Sequence, residues 1–174
     1  IGKSLYEPNL VKIAGKLIEQ AEKNNCAIPL PVDVVTGENF DENTIAKTKS
    51  INEIEKNDII MDLGPKTIKQ LNEIILKAKT IVWNGPLGVF EFKQFSQGTK
   101  NLARAIATSN AYSIAGGGDT IAAISKFKVK KNISYISTGG GAFLEFLEGK
   151  KLPAIAILEE AARAWAAMEK AREL

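Results

Sequence analysis

The sequence has no histidine and only one cysteine among its 174 residues. Without histidine, the chain has no Ser-His or Cys-His nucleophilic site, no histidine metal ligand and no histidine general base. The single Cys26 excludes an internal disulfide and is typical of a reducing compartment. No apolar run reaches the roughly 18 residues of a membrane span, and no signal-peptide pattern is visible. We therefore expect no membrane partner. Because the first residue is Ile1 rather than Met, we expect a fragment or a processed chain.

A strong excess of charge is also missing. The 23 basic and 20 acidic side chains leave a net charge of +3. This excess is too small to indicate a nucleic-acid partner, and it suits a small anionic ligand equally well. The hydrophobic fraction of 45% and the charged fraction of 25% are ordinary for a globular protein. The length is sufficient for one domain with a core of its own.

Apolar strand-like runs alternate with helix-like segments along the chain. Helices are predicted over 8–25, 65–79, 95–110, 119–127 and 142–149, and strands over 32–35, 59–64, 80–85, 111–116 and 133–138. The polar segment 38–58 is predicted to be a long surface excursion. Such alternation with short connections predicts an α/β fold of three layers, Rossmann-like, with a mostly parallel sheet and helices on both faces. Ligands of such folds bind at the carboxyl ends of the strands.

The stretch "AGGGDT" (115–120) joins a predicted strand to a predicted helix. Glycines leave backbone N–H groups uncovered, and a helix N-terminus favours an anion. Asp119 would repel a phosphate unless Mg²⁺ bridged the two groups, and Thr120 could donate to a phosphate oxygen. In the structural alternative, Asp119 caps the helix and the glycines form a tight turn. The motif matches neither the P-loop nor the dinucleotide-binding fingerprint.

A second glycine triplet lies in "STGGGAF" (137–143), again between a strand and a helix. Two neighbouring glycine-rich helix starts at one sheet edge would converge on one anionic site, as a polyphosphate requires. A purely structural explanation must account twice for the entropic cost of three glycines.

The third unusual strand end is "WNGPLGVFE" (83–91). Asn84 could donate to or accept from a ligand, and the Glu91 carboxylate could accept two ribose hydroxyls. The alternatives are a turn-forming Asn84 and a solvated Glu91. In "LPVD" (30–33), Leu30 and Pro31 could line a slot for a base, although the pattern alone favours core positions for them.

Together, "IGKSL", "LPVD", "IVWNGPLGVFEF", "IAGGGDT" and "STGGGAFLEFLEGKKLP" resemble phosphoglycerate kinase of the bacterial type, in family order and at family-like spacing. The resemblance runs from Ile1 to about Glu159. It implies part of the carboxyl-terminal, nucleotide-binding domain of a cytoplasmic glycolytic enzyme. That enzyme transfers a phosphoryl group between 1,3-bisphosphoglycerate and ADP, giving 3-phosphoglycerate and Mg-ATP.

The resemblance also implies roles for individual residues. Asp119 would hold the Mg²⁺ of ADP or ATP, while Thr120 and the N–H groups of Gly117 and Gly118 would contact phosphates. Asn84 would face the phosphates or the ribose, Glu91 the ribose hydroxyls, and Leu30 with Val89 the base. The catalytic contribution would come from Gly139, Gly140 and Gly141, whose helix N-terminus would face the phosphoryl group in transit.

Two departures from the family pattern limit what we expect of the chain. The amino-terminal half that binds phosphoglycerate, and the first part of the nucleotide domain, have no counterpart in these residues. We therefore predict a catalytically incomplete nucleotide-binding domain over 1–158, with a kinase-derived scaffold that binds nucleotide weakly or not at all as the alternative. Residues 159–174 are unfamiliar and predict an additional helix packed on the same domain through Leu158, Ala161, Trp165 and Met168.

Overall fold

The computed structural model describes residues 1–172 and has the expected mixed α/β architecture. Its strands are β1 Asp33–Gly37, β2 Lys47–Ser50, β3 Ile59–Leu63, β4 Thr80–Asn84, β5 Tyr112–Gly116 and β6 Tyr135–Ile136. Its α-helices are α1 Val11–Lys23, α2 Pro65–Lys77, α3 Gln97–Thr108, α4 Gly118–Lys126, α5 Gly141–Leu147 and α6 Pro153–Arg172. Among these helices, none is both long and apolar enough to cross a membrane.

Strands β4, β5 and β6 form a parallel sheet, as the sequence predicts. The predicted strands 32–35 and 59–64 do not join it, because β1 and β3 pair antiparallel in a separate sheet. Asn84 pairs with Gly116 at the ends of β4 and β5, and Ala115 pairs with Ile136 in β6. The core packs against one face of this sheet, where Trp83 and Ala115 contact apolar residues of α3 and α4. The α5 side chain of Phe143 packs on the other face. Helices therefore lie on both faces, although Val82 and Tyr112 stay exposed.

The other three strands form an antiparallel sheet in the order β2-β1-β3. The segment 38–58, predicted to be a surface excursion, is mostly exposed, but it also contains a strand that the sequence does not predict, because β2 lies within it and pairs along β1. The sequence "KTKS" of β2 has no apolar alternation, since β2 is an edge strand with half of its residues exposed. Its pairing with β1 defines it, and that partner is not readable from local composition.

The start of α2 is held by a buried carboxylate from β1. Asp33 accepts hydrogen bonds from the backbone N–H groups of Lys66 and Thr67 and from the Thr67 hydroxyl, at 3.0, 2.8 and 2.7 Å. Burial pushes the pKa of Asp33 upward, but these hydrogen bonds outweigh burial, so its pKa is lowered. Pro65 occupies the first helical position, as the sequence predicts.

Two helices have largely exposed apolar faces. The apolar face of α1 is exposed, with Leu17 at 54%. The terminal helix α6 begins at Pro153 rather than 159, and its predicted packing stripe is also exposed, with Trp165 at 65%. Periodicity identifies an amphipathic helix without identifying what covers it. Residues 173–174 of the predicted helix lie outside the described residues.

Candidate functional site

The carboxyl ends of β4, β5 and β6 bring the three unusual loops together. The parallel register places Asn84 beside Gly116, and the Ser137 N–H donates to the Ala115 carbonyl at 2.8 Å. The segment that begins at Ser137 thus starts beside the end of β5. This edge is where open α/β sheets bind their ligands.

Asn84 and Gly117 are in direct proximity. Gly117 has a φ of +94°, and a Cβ added there would lie 2.9 Å from the Asn84 Oδ1 atom. A side chain at this position would thus be strained and would also displace Asn84. The absence of a side chain lets the backbone before α4 approach the Asn84 amide closely.

Thr120 is fully buried, and its hydroxyl accepts a hydrogen bond from the Gly85 N–H at 2.7 Å. The partner found for this hydroxyl is thus a backbone group of the protein, and its contact with a phosphate stays a prediction. Thr120 ties the loop after β4 to the first turn of α4. Sequence reasoning missed this bond because it joins residues 35 positions apart.

Gly118 and Asp119 form the exposed start of α4. The residue that precedes the helix is Gly117, and no side chain caps the helix there. The structural alternative, in which Asp119 caps α4, is therefore not the arrangement found. A Cβ added to Gly118 would meet no heavy atom within 4 Å. The first turn of α4 thus offers uncovered backbone and a carboxylate to the solvent.

The second triplet, Gly139, Gly140 and Gly141, is exposed and leads into α5. The Gly139 N–H donates to the Ser137 hydroxyl at 3.2 Å, and Gly140 has a φ of +53°. Phe143 of α5 lies directly over Gly116, where a Cβ would collide with its ring. This packing fixes the second triplet beside the end of β5 and close to the first.

The loop between β4 and α3 contains Val89, which is half-buried, and Glu91, which is exposed. The Val89 N–H donates to the Met61 carbonyl at 2.7 Å, and the Leu87 N–H donates to the Thr99 hydroxyl at 2.9 Å. Gly88 adopts a φ of +67° between these two anchors. The loop is therefore attached to β3 and α3.

A buried carboxylate that sequence reasoning missed supports this loop. Asp62 of β3 is 2% exposed and accepts hydrogen bonds from the Gly98 N–H at 3.0–3.1 Å and the Leu63 N–H at 2.8 Å. A Cβ on Gly88 would lie 2.6 Å from its Oδ1 atom. Burial raises the pKa of Asp62 to about 6. The available signal was a lone Asp within the apolar run "IIMDL" (59–63).

Leu30 is 59% exposed and precedes β1. The core position favoured by its pattern is therefore wrong. Leu30 precedes β1 and Val89 lies in the loop after β4, and a base slot between these two side chains stays a prediction.

The donor set at the sheet edge suits Mg²⁺ accompanied by phosphate. Within residues 1–172, no group of three or more Asp, Glu, Cys or His side chains is arranged to hold a metal. Magnesium in nucleotide sites characteristically uses one or two carboxylates, with phosphate oxygens and waters as the remaining ligands. The exposed Asp119 carboxylate fits that limited requirement.

A large groove lies elsewhere in the described residues. It has a volume of about 750 Å³ and lies between the antiparallel sheet and helices α2 and α3. Val35, Leu63 and Ile68 are among its apolar lining residues, and Asn72 and Gln97 among its polar ones. None of the predicted site residues lines it.

Comparisons with known proteins agree with the resemblance in the sequence. The family model described as phosphoglycerate kinase matches residues 1–150. The structure of phosphoglycerate kinase from Coxiella burnetii is 52% identical, with a TM-score of 0.88 over 91% of this chain and 41% of its own. That of phosphoglycerate kinase from Pyrococcus horikoshii OT3 is 35% identical, with a TM-score of 0.74 over 87% of this chain and 36% of its own. The chain thus spans about two fifths of the length of these relatives.

Proposed function

The chain belongs to the phosphoglycerate kinase family, and from this premise we propose that the ends of β4, β5 and β6 bind Mg-ADP or Mg-ATP. In the complete protein this site would serve reversible phosphoryl transfer between 1,3-bisphosphoglycerate and ADP, giving 3-phosphoglycerate and ATP in cytoplasmic glycolysis. The observation that supports the proposal best is the proximity of Asn84, Gly117 and the exposed first turn of α4.

The first turn of α4 would bind the phosphates. Its backbone N–H groups carry the positive end of the helix dipole, which attracts an anion. Gly117 and Gly118 leave these groups accessible, and Asn84 adds an amide beside them. Asp119 would hold the Mg²⁺, which supplies charge neutralisation of the phosphates when it is bound. Thr120 fixes the adjoining loop through Gly85, and its hydroxyl proton could also face a phosphate oxygen.

The loop after β4 would bind the nucleoside. Glu91 is exposed and acidic, so its carboxylate could accept both ribose hydroxyls. Val89 and Leu30 would contact the two sides of the base. The exposed residues Gly139, Gly140 and Gly141 would face the phosphoryl group in transit, and backbone N–H groups such as those of Gly140 and Gly141 would stabilise its charge. Phosphoryl transfer depends on such positioning and electrostatics.

We expect the chain alone to be catalytically incomplete. The residues that bind phosphoglycerate would come from an amino-terminal domain, which would lie within the three fifths of the relatives that this chain does not span. Closure of the two domains would then exclude water from the transferring group.

The second candidate is a kinase-derived scaffold without useful nucleotide affinity. The exposed apolar faces favour it, with Leu17 of α1, Val82 and Tyr112 of the parallel sheet and Trp165 of α6 all open to solvent. If the missing portions of the family domain complete the base pocket, the remaining loops could bind phosphate without binding the nucleoside.

Isothermal titration calorimetry with Mg-ADP tests the proposal. The wild-type chain should show saturable binding that weakens in excess EDTA and in Asp119→Asn. Glu148→Gln, which removes a carboxylate from the exposed end of α5, is the matched control. A chain that is folded by circular dichroism but gives no saturable heat would support the scaffold instead.

A further inference from the structure

The loop 85–91 is attached to α4 at both of its ends. At its start, the Gly85 N–H donates to the Thr120 hydroxyl in the first turn of α4. At its end, the Lys126 ammonium in the last turn of α4 donates to the Phe90 carbonyl at 2.6 Å and to the Glu91 carbonyl at 3.0 Å. One helix therefore holds the loop at two points.

The second attachment is well suited to hold a loop in place. The Lys126 ammonium lies 5.6 Å from the centre of the Phe90 ring, within cation–π range. Phe90 itself is buried in the core with Trp83. Hydrogen bonds from a charged donor are stronger than those between neutral groups. Lys126 thus holds the backbone of Glu91 next to Phe90, which the core already immobilises.

The two ends of α4 lie far enough apart to act on two different parts of one ligand. Lys126 lies seven positions after Asp119, so about 10 Å of rigid helix lies between them. The first turn is the proposed phosphate site, and Lys126 sets the position of Glu91, the proposed ribose ligand. The distance between phosphate and ribose recognition is therefore set by a helix rather than by a flexible loop.

We propose that Lys126 is a positioning residue that makes the site selective for ribonucleotides, through its hold on the Phe90 and Glu91 carbonyls. This inference rests on the proposed function, because it assigns Glu91 to the ribose. Lys126 contacts no substrate atom. It acts by holding the backbone of Glu91 at one position relative to α4. From that position the carboxylate would meet the ribose hydroxyls of a nucleotide whose phosphates occupy the first turn.

Three variants separate this role from a general effect of charge. Lys126→Met keeps the aliphatic stem and removes the donor, whereas Lys126→Arg keeps a cationic donor. Lys130→Met removes the same charge from an exposed lysine in the following turn and serves as the control. None of the three changes a residue proposed to contact the ligand.

The first readout needs no nucleotide. Amide hydrogen exchange of the segment 89–92 should be at least severalfold faster in Lys126→Met than in the wild type, and should recover in Lys126→Arg. Lys130→Met should leave it unchanged. Unchanged exchange in Lys126→Met would overturn the proposal, because the loop would then be held without the lysine.

The second readout compares Mg-ADP, Mg-2′-deoxy-ADP and Mg-pyrophosphate by calorimetry. In Lys126→Met the preference for ADP over 2′-deoxy-ADP should fall by up to about tenfold, which is near the upper end of what a typical hydrogen bond contributes. Affinity for Mg-pyrophosphate should stay the same. An equal loss for all three ligands would indicate a purely structural lysine and overturn the proposal.

The two proposals fail in different ways. A wild-type chain that binds pyrophosphate and ADP, with a preference for ADP that Lys126→Met does not alter, would refute the role of Lys126 alone. A folded wild-type chain that binds none of the three ligands would refute the proposed function, and the ribose role of Lys126 with it.

Discussion

Two adjacent glycines at the start of α4 should respond in opposite directions to the same substitution. Gly117 has a φ of +94°, and its added Cβ would lie 2.9 Å from the Asn84 Oδ1 atom. At Gly118 the backbone is not left-handed, and an added Cβ would meet nothing within 4 Å. Gly117→Ala should therefore destabilise the chain, and Gly118→Ala should not.

The sizes of the two effects follow from their causes. A residue with a side chain held in such a sparsely populated backbone region costs about 1–3 kcal/mol. A compatible Gly→Ala change stabilises by roughly 0.4–1 kcal/mol, because the unfolded chain loses freedom. The free energies of unfolding of the two variants should thus differ by about 1.5–4 kcal/mol. The contact with Asn84 would push the difference toward the upper end.

Urea-induced unfolding followed by circular dichroism measures this difference directly. The order of stability should be Gly118→Ala, wild type and then Gly117→Ala, with similar slopes against urea concentration. Equal stability of the two variants would show that the backbone before α4 is not held in the left-handed conformation. The close approach of Gly117 to Asn84 would then be incorrect.

Three further variants test other parts of the fold. Asp62→Asn should remove a pH dependence of stability. Since burial raises the pKa of Asp62 from 3.8 to about 6, the free energy of unfolding of the wild type should fall by up to about 3 kcal/mol relative to that of the variant between about pH 4 and about pH 7, as the carboxyl ionises. Free energies from urea unfolding that change equally with pH in the two proteins would contradict this. Gly116→Ala should displace Phe143, lower the free energy of unfolding by about 1–3 kcal/mol and speed amide exchange of 139–143. Gly141→Ala should have none of these effects, because an added Cβ there would meet no heavy atom within 4 Å. Thr67→Val should cost about 1–3 kcal/mol in thermal or urea unfolding by leaving buried groups without a partner, and Thr67→Ser should restore most of it; equal loss in both would rule out the hydroxyl as the cause.

Much of the parallel half of the fold could be predicted from the sequence, because its signals are local. Pro65 predicts the start of α2, and apolar runs predict β4 and β5 to within a residue or two. The glycine triplets predict the loops at their ends. Parallel strands with short connections then bring those loops to one edge, as the register of Asn84 with Gly116 shows.

What could not be predicted depends on contacts distant in sequence. β2 is a strand only because β1 lies beside it, and its polar residues give no periodic signal. The hydrogen bonds around the candidate site also join residues distant in sequence. Asp62 accepts from the Gly98 N–H and Thr120 accepts from the Gly85 N–H, and the two pairs are 36 and 35 residues apart. Short polar side chains in apolar surroundings carry no indication of which backbone group they will bind.

The exposed face of α1 shows a different limit. Its periodicity correctly predicts an amphipathic helix, because apolar residues recur at helical spacing. That apolar face is largely exposed in this chain, with Leu17 at 54%. A hydrophobic pattern reports a surface that is suited to burial. It does not report whether the covering element lies in the same stretch of chain.

Nuclear magnetic resonance mapping of backbone amide shifts during titration with Mg-ADP would test the central claim most directly. If the two glycine segments form one phosphate site, the amides of Gly117 and Gly118 should shift together with those of 139–141, at one common affinity. Shifts confined to the groove over the antiparallel sheet, at residues such as Asn72 and Gln97, would place the ligand elsewhere. That result, or shifts at only one glycine segment, would contradict a single nucleotide site at the ends of β4, β5 and β6.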